Sequence, residues 1–333
     1  MKTVHARNVN EAYAIGMNML SSSGIREETR YGGALVMPDP VTTTYFKPNE
    51  RVLFDSKRDC NPFFHLMEAL WMMQGRNDVA WIEEFSSTIG QFSDNGINFN
   101  AAYGHRWRQH FELDQIPLII KELTDNPNSR RAVMGMWDPR VDLNAEGKDF
   151  PCNLAISFRV QKGNLDMTVF NRSNDIIWGA YGANAVHMSV LQEYIATCIG
   201  LGVGKYHQVS NNYHAYINIM AKTGIPDPAP NDLYEMGKVK FFPLVDNPEH
   251  WMTDLDIFIK DQNESGYINS FFVHVADPMR RSWRWYKNKD YPGALAMVEE
   301  IVAEDWKLAC HQWLTKRFEK NGRKKPVRKI AED

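Results

Sequence analysis

Cys152, Glu68 and a scattered set of arginines carry the chemistry this sequence can offer. Cys152 precedes an alternating apolar stretch (Leu154, Ile156, Phe158, Val160), and Arg172-Ser173-Asn174-Asp175 follows a second one (Leu165, Met167, Val169). Lys162-Gly163-Asn164 supplies a turn between them, so the segment reads as a β-hairpin whose open ends bring Cys152 beside Arg172. A thiol beside a guanidinium is expected to have a lowered pKa, which prepares a nucleophile. The plainer reading makes Cys152 one more small buried hydrophobe. Glu68 is the sole acid in the apolar run FFHLMEALWMMQG, where a carboxylate is either paired with a buried cation or kept for proton handling, and burial would raise its pKa. Arg30, Arg130, Arg131 and Arg172 stand at element ends. Their forked guanidinium groups suit a phosphate dianion, although each taken singly reads as a surface ion-pair residue. Tyr213-His214-Ala215-Tyr216 offers hydroxyl and imidazole groups to a sugar, or simple packing. Asn184 heads an apolar helix, where it reads as an N-cap or as an amide that recognises a base edge.

The elements that must position these groups follow from apolar spacing. A helix is expected over residues 9–22, ended by Ser21-Ser22-Ser23-Gly24, and a strand over Ala34-Leu35-Val36-Met37. Asn61-Pro62 starts the apolar helix that Gly75 ends, and a second helix is expected over 78–87. Further helices are expected over 115–124, 184–200 and 293–319, with a strand over 132–137 and loops after about residue 225. The tail KRFEKNGRKKPVRKIAED is basic and reads as a solvated, fraying terminus, or else as an electrostatic contact for nucleic acid.

Composition sets the outer bounds. A chain of 333 residues that is 44% hydrophobic can bury a large core, and a net charge of −3 argues against wholesale nucleic-acid coating. Its four cysteines show no CxxC or metal-type spacing, and no apolar run is long enough to span a bilayer. The N-terminus lacks the apolar core of a signal peptide, so the cytoplasm is the expected compartment (the host's, if the gene is a phage's).

Two chemistries compete for Cys152. One is a thiol hydrolase with His187 or His214 as base. The other is addition of the thiol to an electron-poor ring, which also employs Glu68 and the arginines.

Several motifs decide between them. Glu68-Ala69-Leu70-Trp71-Met72-Met73-Gln74-Gly75, Tyr103-Gly104-His105-Arg106-Trp107-Arg108, Ser129-Arg130-Arg131, Pro151-Cys152, Arg172-Ser173-Asn174-Asp175 and His214-Ala215-Tyr216 occur in this order over residues 25–220. In order and spacing they resemble the superfamily of thymidylate synthases and pyrimidine hydroxymethylases. The resemblance implies that Cys152 attacks carbon 6 of a pyrimidine, making carbon 5 nucleophilic. Arg172, Ser173 and Arg30 would hold the phosphate, Arg172 and Ser173 also attending the thiolate. Arg130 and Arg131 would reach the phosphate of a second subunit, which requires a homodimer. Glu68 would organise water and proton transfers, Tyr103 would lie near the carbon-5 proton, and Asp175 would contact folate. His214 and Tyr216 would bind the sugar, and Asn184 would read uracil. The implied one-carbon donor is 5,10-methylenetetrahydrofolate, with no metal. The implied fold is α+β: a three-layer arrangement in which a large twisted mixed sheet packs back to back in the homodimer. Residues 1–225 are expected to form the catalytic core, and residues 226–333 to complete it with a mostly helical extension and the basic tail.

The family performs two reactions, distinguished by the fate of an exocyclic methylene on carbon 5: hydride gives a methyl group, water a hydroxymethyl group. Where synthases carry Cys-His and Gln-Arg-Ser-Cys-Asp, this chain has Cys152-Asn153 and Asn171-Arg172-Ser173-Asn174-Asp175, the latter similar to phage dCMP hydroxymethylase. Gln91 or Phe92 stands where a synthase tryptophan shields the methylene, and Phe92 is placed with Asp175 against the folate. Asp149 replaces an apolar residue, the loop 178–183 is one residue longer, and Ala331-Glu332-Asp333 is unlike the apolar synthase C-terminus. Together these departures point to a wetter site and to hydroxymethylation, and Asn184 points to dUMP. The alternatives are thymidylate synthesis, dCMP or CMP hydroxymethylation, and a non-catalytic nucleotide- or nucleic-acid-binding relative.

Overall fold

The hairpin that the alternation predicts is present in the computed structural model, which describes residues 1–262 and 266–322. Its strands belong to a set that begins with β1 (Lys2–Ala6), β2 (Ile25–Thr29), β3 (Gly32–Val36), β4 (Val41–Tyr45) and β5 (Val133–Gly135). The hairpin itself is β6 (Asn153–Gln161) and β7 (Asn164–Asn171), followed by β8 (Asn174–Asp175), β9 (Gly202–Ser210) and β10 (Tyr213–Tyr216). Gln161 pairs with Asn164, leaving a two-residue turn in which Lys162 and Gly163 have φ of 49° and 76°. Two positive φ values match the right-handed twist of the flanking strands, and glycine makes the second inexpensive.

Two sheets result. The larger has six strands in the order β1-β4-β9-β7-β6-β5, and the smaller has the order β2-β3-β10-β8. The larger sheet is mixed, since β1 runs parallel to β4 and β7 parallel to β9, while β6 is antiparallel to both its neighbours. With the helices, this makes the chain an α+β protein. Three strands of the large sheet, β1, β4 and β9, lie outside the elements the sequence indicated.

The helices begin with α1 (Val9–Ser23), α2 (Pro62–Met73), α3 (Val79–Glu83), α4 (Tyr103–Arg108), α5 (Gln115–Asp125) and α6 (Pro139–Asp142). The start of α2 is the one expected: the Asn61 side chain accepts from Phe64 N–H, Pro62 fills the first turn, and Gly75 follows the end with φ of 79°. Helix α3 is shorter than the expected 78–87. Then come α7 (Asn184–Cys198), α8 (Ile217–Thr223), α9 (Pro248–Lys260), α10 (Asp277–Lys287), α11 (Tyr291–Glu299) and α12 (Glu304–Gly322). The single helix expected over 293–319 is therefore two, broken at residues 300–303, where Ile301 and Ala303 plug the core. Tail residues beyond 322, including Ala331-Glu332-Asp333, lie outside the described residues.

Helix α7 is the hub of the core. Every residue from Asn184 to Ala196 is buried, and the helix packs on β7, β9 and α2. Among the described residues no helix is long and apolar enough to cross a membrane.

Candidate active site

The hairpin delivers its open end to a cavity of ≈ 630 Å³. Arg172 N–H donates to the Cys152 carbonyl at 2.9 Å, so the two residues are backbone neighbours, as the register predicts. A register shift between Asn153 and Ala155 bulges β6 beside the cysteine, a device that re-aims a side chain at the end of a strand. Arg172 is held by its Nε, which donates to the Pro151 carbonyl (2.9 Å), and by Nη2, which donates to that of Phe150 (3.2 Å). Its guanidinium also lies 5.6 Å from the centre of the Trp137 ring.

The expectation of a lowered thiol pKa is corrected. Burial pushes the Cys152 thiol above its ordinary value of 9.0, and the nearby Asp175 carboxyl acts in the same direction. Arg172 and Arg30 pull it down, as does a hydrogen bond from Tyr103, but they only partly offset the loss of water.

Cys152, Arg172, Ser173, Asp175, His214 and Tyr216 all line the cavity, together with Arg30 and Phe92. His214 and Tyr216 come from β10, which runs parallel to β8, so Asp175 stands beside His214. Asp175 has two jobs. Its Oδ1 accepts from Ile177 N–H (2.8 Å) and Trp178 N–H (2.9 Å), capping a π-helical segment over Ile176–Ala183. Its Oδ2 is buried without a partner, and burial raises the carboxyl above its ordinary pKa. Arg30 sits in the exposed turn between β2 and β3 and reaches the carbonyls of Gly147 (3.5 Å) and Lys148 (3.3 Å).

Glu68, Tyr103 and Asn184 are not part of the cavity lining. The Glu68 side chain is 13% exposed, and its Oε2 lies 2.9 Å from His187 Nε2. The approach is close enough for an ion pair but too poorly aligned for a hydrogen bond, and His187 Nδ1 has no partner either. His187 is one helical turn from Asn184, so the two share a face of α7. Of the other buried polar side chains of that helix, Ser189 bonds to Val186 and Glu193 to Arg51 and Leu244, while Gln192 donates from Nε2 to Leu165 and Lys205 and leaves its Oε1, like both His187 ring nitrogens, without a partner.

Asn184 is not an N-cap. The π-helical segment continues into α7 across a kink at Gly182 (φ −122°, ψ −112°), and Ala183 before Asn184 is already helical, so the side-chain cap is Asp175, several residues earlier. A π-helical turn takes up one residue more than an α-helical turn, which fits the longer loop noted at 178–183. Asp149 does not open the cavity to water: it is buried and accepts from the backbone N–H groups of Asn100 and Ala101. Arg130 and Arg131 face solvent, Arg131 pairing with Glu122, and neither enters this chain's own cavity.

Sequence reasoning missed Trp137, Tyr31, Phe150 and Lys148, which also line the cavity, and gave no signal for them. It also missed the role of Gly104. A Cβ there would lie 1.9 Å from the Met72 carbonyl oxygen, so glycine is what lets α4 cross α2 and carry Tyr103 to Cys152. We expect Gly104→Ala to cost about 1–3 kcal/mol or more by overpacking and to lower turnover through displacement of Tyr103. Urea unfolding alongside steady-state kinetics checks both.

Comparison with known proteins agrees with this geometry. A family model described as thymidylate synthase matches residues 24–225, which contain every residue that lines the cavity. A deoxyuridylate hydroxymethyltransferase of Pseudomonas phage M6 is 45% identical over 332 residues, covering 95% of each chain. A deoxyuridylate hydroxymethyltransferase of Bacillus phage SP01 is 38% identical over 190 residues, 54% of this chain and 50% of that protein. A putative thymidylate synthase of Methanothermobacter marburgensis is 36% identical over 135 residues, 40% of this chain and 58% of that protein. The cavity built around Cys152 and Arg172 and the match over most of the chain lead to one conclusion: this chain belongs to the thymidylate synthase family.

Proposed function

We propose that the chain transfers a one-carbon unit to carbon 5 of dUMP and completes the reaction with water, giving 5-hydroxymethyl-dUMP. The observation that carries the choice of water is the Glu68–His187 pair, in which Glu68 Oε2 and both ring nitrogens are buried atoms lacking hydrogen-bond partners. Buried polar atoms left open in this way call for ordered water. Asn153, fully buried beside Cys152 with both amide atoms unpartnered, adds to that polar interior.

Cys152 Sγ adds to carbon 6, its proton leaving as the bond forms, and the electron pair passes to carbon 5. Arg172, Ser173 and Arg30 bind the phosphate, His214 and Tyr216 the sugar, and Asn184 the uracil edge. Arg130 and Arg131 reach the phosphate of a partner in a homodimer, a reading favoured by their exposure outside this chain's cavity. Methylenetetrahydrofolate supplies the carbon at the oxidation state of formaldehyde. The residues present suit it, since Asp175 Oδ2 is an unpartnered acceptor for pterin N–H groups and Phe92 offers a half-exposed ring in the same cavity. The carbon-5 proton would leave beside Tyr103 as the carbon–nitrogen bond to the folate breaks, so that tetrahydrofolate is the leaving group and an exocyclic methylene remains on carbon 5. Glu68, with His187, takes a proton from the water that attacks the exocyclic methylene, and Cys152 departs as the carbon 5–carbon 6 double bond re-forms. No metal takes part. Residues 1–225 hold the reacting groups, residues 226–333 complete the domain, and the protein works in the cytoplasm.

Incubation with methylenetetrahydrofolate and dUMP, dCMP or CMP, followed by identification of both products, tests this reading. The expected result is 5-hydroxymethyl-dUMP with tetrahydrofolate. Formation of dTMP with dihydrofolate would make the chain a synthase, and a hydroxymethylated cytosine nucleotide would overturn the choice of base.

A further inference from the structure

We infer that Asn174 and Gln208 fix the rotation of the Asn184 amide, so that Asn184 offers its oxygen and one N–H in a single order and thereby selects uracil over cytosine. The inference rests on the reading that Asn184 faces the base.

The order of the amides is set by a chain of donors that begins at a group with no choice. The Ala180 carbonyl can only accept, so Gln208 must turn its Nε2 toward it, at 3.0 Å. The same Nε2 donates to the Tyr45 hydroxyl at 3.0 Å, and that hydroxyl in turn donates to the Ala180 carbonyl at 2.8 Å. Gln208 Oε1 is then left as an acceptor, and Asn174 Nδ2 donates to it at 2.9 Å, with Ser210 Oγ a further acceptor at 3.0 Å. Asn174 must therefore present Oδ1 on its other side, where it accepts from Asn184 Nδ2 at 3.3 Å. Gln208, Asn174 and Ser210 are at most 2% exposed, so water does not compete for these positions.

A free asparagine is an ambivalent reader. Rotated by half a turn, it offers an N–H to the carbonyl at uracil carbon 4 or an oxygen to the amino group at cytosine carbon 4. With one N–H committed to Asn174, Asn184 keeps one N–H and Oδ1, which complement the uracil carbonyl and its N3–H. Rotation toward the cytosine pattern would break the bond to Asn174 and bring two amide oxygens together in a buried place. Cytosine is rejected because the reader cannot turn.

The test is equilibrium binding of dUMP and of dCMP to the full-length protein, without folate. Asn174→Ala removes the acceptor and should lower the ratio of dUMP to dCMP affinity by roughly tenfold. Gln208→Leu lets Asn174 rotate and should lower the ratio by less than Asn174→Ala. General loosening of the site would weaken both nucleotides together, so the ratio separates positioning from mere support. Thermal unfolding identifies a variant that fails to fold, and Gln208→Leu then decides the matter. Unchanged ratios in Asn174→Ala and Gln208→Leu would overturn the inference. Asn184→Asp is the control for the reading beneath it. If that variant leaves the ratio unmoved, Asn184 does not face the base; if it moves the ratio while the other two do not, only the amide chain is wrong.

Discussion

Replacing Cys152 with alanine removes turnover, to below about one ten-thousandth of the wild-type rate, while dUMP affinity stays within a few-fold. The asymmetry is expected because, in the proposed mechanism, the thiol supplies the bond to carbon 6 and little of the ground-state binding, which falls to Arg172, Ser173 and the β10 pair. Release of tritium from carbon 5 of labelled dUMP measures the loss directly, because that proton cannot leave until carbon 5 has been activated. The wild-type protein should show a pH dependence of definite sign. Burial holds the thiol above its ordinary value of 9.0, so the thiolate fraction, and with it tritium release, should rise continuously from pH 7 to pH 9. Persistence of tritium release in Cys152→Ala would sink the covalent mechanism. A plateau already reached at pH 7 would mean that bound substrate lowers the thiol pKa.

Glu68→Gln is expected to reduce kcat by about 10²–10⁴ with little change in KM, the range for loss of a general acid–base group. The amide keeps the shape of the side chain but cannot take a proton. His187 offers a way to divide the role of Glu68 into steps. Since His187 Nε2 meets the carboxylate and His187 shares a face with Asn184, His187→Gln should slow formation of the hydroxymethyl product more than it slows tritium release. Equal slowing of both would place His187 at the earlier step, and full activity would remove it from the mechanism.

Much of the site was legible because one local motif builds its centre. Two alternating stretches around Lys162-Gly163 suffice to bring Cys152 near Arg172, and the register pairing Ile156 with Val169, Phe158 with Met167 and Val160 with Leu165 is the one that alternation requires, the bulge after Asn153 shifting only the last pair. What resisted reading depended on distant parts of the chain. The thiol pKa turned on burial, which comes from elements far from the hairpin. Strand β4, Val-Thr-Thr-Thr-Tyr, is buried on both faces except at Thr42 and so shows no alternation to detect. Strand β9 opens with Gly202 and Gly204, which pack closely against Asn164 and Asp166 of β7 and look like loop residues in isolation. Asn184 resembled a cap because no sequence pattern announces a π-helical segment entering an α-helix. The pairing of His187 with Glu68 joins two helices, α2 and α7, and no spacing along the chain encodes it.

The arrangement of β2 around Arg30 has a consequence for amide exchange. Every residue of β2 is exposed, and the strand lies at the edge of the smaller sheet, so its backbone N–H groups should exchange with deuterium early. Strands β6 and β7 each have a neighbour on both sides in the larger sheet, and their amides should be among the last to exchange. Cys152 thus adjoins one of the slowest-opening parts of the molecule, and Arg30 one of the fastest. Fraying of the β2 edge would release Arg30 from its carbonyl partners without disturbing the strands beside Cys152.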